Sequence, residues 1–595
     1  MENEVKRNSF NRPKWSLVWT FFAALGVGFL RFGSDWLNES AEIQPGIINL
    51  MTMLLVFVTA MVWFFWLAFF SGHRARYLIA LVFVSLISLF FYRFRLIFDG
   101  DLGFVRVESR FLKREFARSP VSDLNQTAIN LALESDKDFR QFLGNERDSV
   151  VRNRVLNGNW KENPPEVLWR QPIGEGWSGF SAVNGFAVTQ EQNGQDECVT
   201  CYDAKTGKLL WIHSAPRRHE DTMAMGKAGP RATPTIENGR IYAQGATGVL
   251  ECLNGSDGTV IWTTDITELL GTELTEMTTS TGYKYEFENS HLAWGRSGSP
   301  LVVGNKLIVP GGLCADGSCS TLIALDKTTG KELWRGGDVM IAYGSPSLET
   351  LAGKEQIVIV AENCAMGIAP EDGTTLWKVE RLGHSGQDAN CSQVTIVDEN
   401  HILLSKGYGL GGQLVRLERE GETITPTTLW KSPRILKTKM MSPVVLNGHT
   451  YSLSDGFLEC TTVGGENEEG RRVWRVRGRF GNGQLLLVGD NLLIHTEFGE
   501  LKLVRATPEK YIELGSIETI EGVCWNTICL YDNLLLVRSE LEAACIELKT
   551  EVQTATPAEP ESSMDNPEQN SALQEEPVHS SQVTENSNTD QQDDE

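Results

Sequence analysis

The sequence predicts an all-β fold over residues 166–550: an eight-bladed β-propeller of four-stranded blades, preceded by three transmembrane α-helices. Three observations carry that expectation. First, DAKTGKLLW (203–211) returns as SDGTVIW (256–262), DKTTGKELW (326–334) and EDGTTLWK (371–378), then in decayed form as TTLWK (427–431) and RRVWR, which ends at Arg475. A motif repeating at such intervals describes architecture before chemistry. Second, an apolar strand, a turn rich in Gly, Asn or Asp, and another strand recur at 181–191, 233–245, 299–311, 345–362, 392–407, 442–456, 484–499 and 526–540. That is a hairpin signature. Third, the first hundred residues hold three apolar runs.

Those runs are WSLVWTFFAALGVGFL (15–30), IINLMTMLLVFVTAMVWFFWLAFF (47–70) and YLIALVFVSLISLFFY (77–92). The middle one is long enough to cross a bilayer, and the shorter two can do so if Arg31, Arg93 and Arg95 snorkel. Residues 1–98 are thus a membrane domain. Lys6, Arg7, Arg12 and Lys14 precede the first run, whereas Asp35, Glu39 and Glu42 outnumber Arg31 in the first joint. The positive-inside rule therefore puts the N-terminus in the cytoplasm and residue 100 onward outside.

Residues 99–165 form a connector, in which 122–144 reads as an amphipathic helix with Ser122 as its N-cap. Blades follow from Glu166. Each hairpin leads into a third strand such as CVTCYD or TLIALD, and the turn and the xxLW strand complete a blade of about 48 residues. Asp203 and Asp326 can bond the turn amides, and Gly207 and Gly330 supply the turn conformation. Trp211, Trp262, Trp334, Trp377, Trp430 and Trp474 would wedge between neighbouring blades. The last blade lacks its own turn motif, so EVLWRQPI (166–173) must close the ring against AACIEL (543–548).

Residues 551–595 contain twelve Asp or Glu and no Lys or Arg, so this tail alone supplies −12 of the net charge of −23. Its Pro, Glu, Ser, Gln, Asn and Thr composition predicts a disordered acidic tail. The remainder shows no basic face, which excludes nucleic acid as a partner. Among eleven cysteines, Cys314 and Cys319 flank the turn sequence ADGS and could bridge across a hairpin. The pair in CVTC (198–201) sits three apart on a strand, where side chains point to opposite faces, so no metal or redox centre is expected there. No CxxCH supports covalent haem, no GxSxG elbow supports a serine nucleophile, and His213, His219, His291 and His384 share no ligand spacing.

The run Ala/Cys-x-Asp-x-x-Thr-Gly-x-x-x-Trp at 201–211 and 324–334 resembles the repeats of the quinoprotein, or PQQ-repeat, propellers. That superfamily includes PQQ-dependent alcohol dehydrogenases and BamB, a non-enzymatic propeller lipoprotein. FRQFLGNERDSVV (139–151) and GPRATPTIENGRIYAQGATGVLECLN (229–254) look like a membrane-anchored bacterial group of such propellers. The resemblance implies a multi-pass protein of the bacterial inner membrane with its propeller in the periplasm, acting as a scaffold for an envelope protein or a ligand. The alternative it implies is a PQQ-dependent dehydrogenase of alcohols or sugars. Family enzymes hold PQQ under a vicinal Cys-Cys ring with Ca²⁺ on Glu and Asn, but no two cysteines are adjacent here. Glu191, Asp388 and Asn390 make no convincing calcium trio, so PQQ with calcium belongs to the alternative alone.

For binding, the longest inter-strand excursions, 212–232 and 263–296, would form one raised rim. Trp177, Arg231, Trp294, Arg296, Tyr343, Asn390, Asn482 and Trp525 enter the innermost strands and should line the central funnel.

Overall fold

The computed structural model describes residues 13–39, 43–71, 76–112, 128–221, 226–279, 281–288, 292–381, 383, 388 and 390–549. Four helices open the chain: α1 (Lys14–Phe32), α2 (Ser34–Glu39), α3 (Pro45–Phe65, extended by a π-helical turn Trp66–Phe70) and α4 (Arg76–Arg93). The segments Lys14–Phe32, Pro45–Phe70 and Arg76–Arg93 are long and apolar enough to cross a membrane. Even the 18-residue α4 reaches about 27 Å at the helical rise. Two hydrogen bonds tie α1 to α3, Trp19 Nε1 donating to Thr59 Oγ1 (3.0 Å) and Trp63 Nε1 to Thr20 Oγ1 (2.8 Å). A further hairpin follows, β1 (Phe94–Phe98) paired antiparallel with β2 (Phe104–Ser109).

Eight antiparallel blades of four strands then close into a ring. Blade 1 runs from Ser181–Val183 through Phe186–Asn193 and Asp196–Asp203 to Leu209–Ala215. Blade 8 takes Cys529–Tyr531, Leu534–Arg538 and Glu542–Glu547 from the end of the chain and its outermost strand, Glu166–Pro172, from the beginning. Cys545 faces Trp169 and Glu547 faces Glu166 across that closure.

The recurring motif is the joint between blades. Asp203 Oδ1 accepts from the Thr206 N–H and hydroxyl, both at 2.8 Å, and sets the turn. Gly207 sits there at φ +71°, with Trp169 of the preceding blade so close that a Cβ would lie 2.7 Å from the ring. The same contact joins Trp211 to Gly258, Trp262 to Gly330 and Trp334 to Gly373. Each of these indoles also donates Nε1 to a carbonyl of the next blade: Trp211 to Gly255, Trp262 to Lys327, Trp334 to Pro370. Trp430 and Trp474 repeat the donation, to Val463 and Thr507. Trp377 differs: its Nε1 turns to Gln356 Oε1 (2.5 Å) of its own blade. Blade 5, which follows it, replaces the short turn by the long hairpin Gly411–Glu420/Thr423–Ser432. Blade 7 has no tryptophan in its outer strand, Glu513–Glu518, and Trp160 from the connector packs on Gly515 instead.

Two expectations need correction. The amphipathic helix of 122–144 is not formed over its described part. Residues 122–127 lie outside the described residues, and 128–144 runs as turns. Asp138 carboxylate oxygens accept from the Ser135 N–H and hydroxyl and from the Asn184 N–H. Leu131, Phe139 and Leu143, whose spacing resembled a helix face, are buried anchors against the propeller. A third strand, β3 (Val150–Val151), then pairs in parallel with the inner strand Gln484–Val488 of blade 7. The second correction concerns Cys314 and Cys319, which are both free thiols. Cys319 pairs with Leu313, so Cys314 is one residue out of register and faces the other side of the ribbon, towards Ser320 Oγ.

The interblade joint makes a direct prediction. Trp211→Ala should cost about 3–5 kcal/mol, and Gly258→Ala, which strains the turn and crowds the indole, about 2–4 kcal/mol. The double variant should cost less than their sum, because the added methyl enters the vacated indole space. Denaturant unfolding of the four proteins reads the cycle.

Candidate functional site

On the upper face, loops from the outer strand of one blade enter the inner strand of the next. On the lower face lie the tight turns that leave those inner strands. The entering residues meet on the axis. Trp177, Arg231, Trp294, Tyr343 and Trp525 line one chamber of about 180 Å³, together with Cys391, Met440 and Gln484. Trp177 and Trp525 lie face to face at the seam of blades 8 and 1, ring centres 4.7 Å apart and planes 33° apart. Trp294 meets Tyr343 edge-on at 5.3 Å. These rings are held in place: Trp177 Nε1 donates to the Gly226 carbonyl (2.5 Å) and Trp525 Nε1 to Glu497 Oε1 (2.7 Å). Burial lowers the Arg231 pKa, and its guanidinium donates to the carbonyls of Gly229 (2.7 Å) and Gly226 (2.8 Å).

The other three expected funnel residues serve the frame. Arg296 is fully buried and directed into blade 3, where it pairs with Glu288 and donates to the Pro310 and Gly311 carbonyls. Asn390 Nδ2 staples a loop through the carbonyls of Ala361, Glu362 (both 2.9 Å) and Arg381 (3.2 Å). The Asn482 N–H donates to Glu497 Oε2 (2.8 Å) and its Nδ2 to Asp101 Oδ2 (3.3 Å). Arg296 and Asn390 are satisfied by backbone or a buried carboxylate away from the axis, whereas Asn482 turns its Nδ2 to Asp101 at the upper mouth.

Both mouths are occupied by segments that sequence reasoning did not place there. Gly100, in the turn between β1 and β2, lines the chamber from above, and Phe142 and Leu143 line it from below. The lower segment is riveted by the Phe139–Ala182 bridge and by Arg147, whose guanidinium donates to the Ser299 and Pro300 carbonyls (2.9 Å each). Glu191, weighed in the sequence only as a calcium ligand, lies in the second strand of blade 1, and Glu497 and Glu540, which were missed, follow the second strands of blades 7 and 8. Each accepts the N–H of a residue entering its own blade: Gly174 at 2.5 Å, Asn482 at 2.8 Å and Val523 at 2.6 Å. The sequences TQE, TE and SE at one repeat position were the available signal. Burial, reinforced by the Asp99 carboxylate, pushes Glu497 up to about 7.

The rim is ordered by two arginines. Arg217 Nη1 holds Glu286 (2.8 Å) and Arg217 Nη2 reaches Asp265 (3.5 Å). Arg218 is bonded to Glu175 and Glu220 and stacks on Tyr283. They anchor a hairpin, Thr275–Thr278 paired with Lys284–Phe287, whose first strand is exposed throughout. His213 bonds Glu251 (3.0 Å), and His219 is buried and pushed down to about 3, so it is neutral. His291 and His384 lie outside the described residues. Among the described residues no three His, Cys, Asp or Glu side chains gather as a metal site.

The geometry can be set beside known proteins. A family model described as outer membrane protein assembly factor BamB matches residues 163–311 and 195–455. BamB of Alkalilimnicola ehrlichii is 24% identical over 172 residues, 27% of this chain and 39% of that protein, so well under two thirds of the relative is spanned. Among solved structures, quinohemoprotein alcohol dehydrogenase from Comamonas testosteroni is 11% identical, with 71% of this chain and 83% of that one covered at a TM-score of 0.50. BamB from Moraxella catarrhalis is 14% identical, with 64% and 99% covered and a TM-score of 0.43. The closed ring and its Gly–Trp repeats define the class, a PQQ-repeat β-propeller. Within it, residues 163–455 are similar to the BamB propellers.

At the lower mouth, Glu349 lines a groove of about 740 Å³ and burial raises its carboxyl from 4.5 to about 7. Its folded pKa lies above its unfolded one, so its stabilising share is complete below about 4.5 and is lost as pH rises through 7. Glu349→Gln should therefore flatten the fall in melting temperature between those pH values, read by calorimetry against the wild type.

Proposed function

We propose that this chain is a membrane-anchored scaffold whose propeller stands outside the cytoplasmic membrane and holds an envelope protein on its upper rim. The carrying observation is the rim itself: Arg217 of one long loop pairs with Glu286 and Arg218 stacks on Tyr283, and together they seat the exposed hairpin of the other loop. Exposed Met277 beside Glu276 and Lys284 gives that platform the mixed apolar and charged surface of a protein contact. Further support comes from the BamB-like family match, and from three N-terminal helices able to cross a membrane.

Arg231 of the chamber, and the three groups weighed as a calcium site, which do not line it, argue against PQQ with calcium. PQQ is an anionic tricarboxylate. Arg231, the cation that lines the chamber, spends its hydrogens on two carbonyls. Glu191 accepts from the Gly174 N–H and the Tyr202 hydroxyl, Asp388 pairs with Lys406, and Asn390 is bound to carbonyls. This donor set does not fit PQQ with calcium, and no dehydrogenase step is derived from it.

Replacing 275–287 by a short Gly-Ser link should abolish capture of the envelope partner from native membranes while leaving the melting transition in place. An unchanged capture profile would refute the rim reading. Independently, a reporter fused after Thr550 should be active only outside the cytoplasm, and a cytoplasmic signal would reverse the topology.

A further inference from the structure

The upper mouth treats the chain's own hairpin as a ligand. Lys439, 5% exposed, sets Nζ 2.5 Å from Asp101 Oδ1 and 3.3 Å from the Gly100 carbonyl. Asn482 Nδ2 donates to the other carboxylate oxygen of Asp101. Glu497, 1% exposed, accepts the Gly100 N–H at 2.7 Å. The socket thus reads a carboxylate, a carbonyl and an amide N–H on two adjacent residues. A free carboxylate offers Glu497 no N–H, and a phosphate would set oxygen against oxygen. The combination belongs to a peptide turn that carries Asp.

The hairpin buries Ile97 and Glu108, but the turn makes its polar contacts with the mouth. The hairpin forms an isolated two-stranded sheet and joins no blade. Phe104 and Val107 are exposed, and such a ribbon is marginal alone. Its remaining bond to the mouth is also ionic, Arg106 to Glu540 (2.8 Å). The turn is tied to the helices as well, since Asn49 of α3 donates to the Asp101 carbonyl (2.7 Å).

We propose that the upper mouth is a recognition socket for an acidic turn of a partner protein, and that the Asp99–Gly103 turn fills it in cis and closes the aromatic chamber until it is exchanged. The socket is separate from the rim hairpin and does not require the rim to hold anything.

Cys391 lines the chamber and reports access to it, with Cys314 and Cys319, half-buried like Cys391, as controls in the same molecule. In the full chain in detergent, N-ethylmaleimide labelling followed by mass spectrometry should be slow at Cys391. Asp101→Asn, which keeps the side chain's shape, and Asp101→Ala should each speed it at least tenfold with the controls unchanged. Lys439→Gln, which removes the cation from the other side, should do the same. A backbone-cyclised peptide of residues 94–109 should restore the slow rate in the Asp101 variants. The same peptide carrying Asp101→Ala, and succinate at equal concentration, should not. All rates are compared on samples that keep the wild-type melting transition. Wild-type labelling rates in the three variants would overturn the proposal, as would an opened mouth that the peptide fails to protect. Protection by succinate equal to that by the peptide would also overturn it, since the mouth would then read a carboxylate and no turn.

Discussion

An indole laid on a glycine turn of the next blade is the contact on which the ring depends. Four-stranded sheets radiating from an axis touch only along their faces, and every seam must be sealed against water. Here the seal is large, flat and oriented. Trp211, Trp262 and Trp334 each cover a turn glycine and donate Nε1 to a neighbouring carbonyl. The hydrogen bond fixes the angle between blades and the ring surface excludes water. A side chain at the glycine would force the blades apart. One turn glycine, preceded by Asp257, Thr329 or Asp372, therefore governs the spacing to the adjoining sheet.

Because that joint is local and repetitive, most of the propeller was legible in the sequence. The Asp-to-Gly turn and the tryptophan behind it appear together at fixed spacing, and the missing turn of the last blade dictated closure by Glu166–Pro172. The axis was harder to read. Trp177 and Trp525 face it, whereas Arg296 and Asn390 enter from equivalent places and turn aside, and Asn482 turns to the Asp101 carboxylate at the upper mouth. Which way a polar head turns is decided by carbonyls and carboxylates far along the chain, and repeat spacing carries no information about them. The connector misled for a related reason. Leu131, Phe139 and Leu143 bury against blades that the local sequence does not contain, and their spacing imitates one face of a helix.

The two plugs give the axis its character. Gly100 lines one end of the chamber and Phe142 and Leu143 line the other. The lower plug is backed by buried apolar anchors and by Arg147 on two carbonyls, so it behaves as part of the core. The upper plug rests on charges in a thin ribbon. Buried ion pairs add little net stability while fixing geometry closely. The two ends of the same cavity are thus closed with very different firmness, and the rigid rim stands on the face of the weaker one.

Closure by strands from opposite ends of the propeller also sets a timetable. Glu166 leaves the ribosome hundreds of residues before Glu547, its partner across the last sheet. Until then the outer strand Glu166–Pro172 has no sheet to join: Trp169 can rest on Gly207 of blade 1, but the strand's hydrogen-bonding edge waits for Glu542–Glu547. Blades 1 to 7 can fold as they emerge, since each finds its joint in a neighbour already made, but the circle is complete only once the final strand arrives. During that interval an unpaired edge is open to any other strand. Fast synthesis of the last blade, or a chaperone at that edge, shortens the interval in which the ring can pair with another chain instead of with itself.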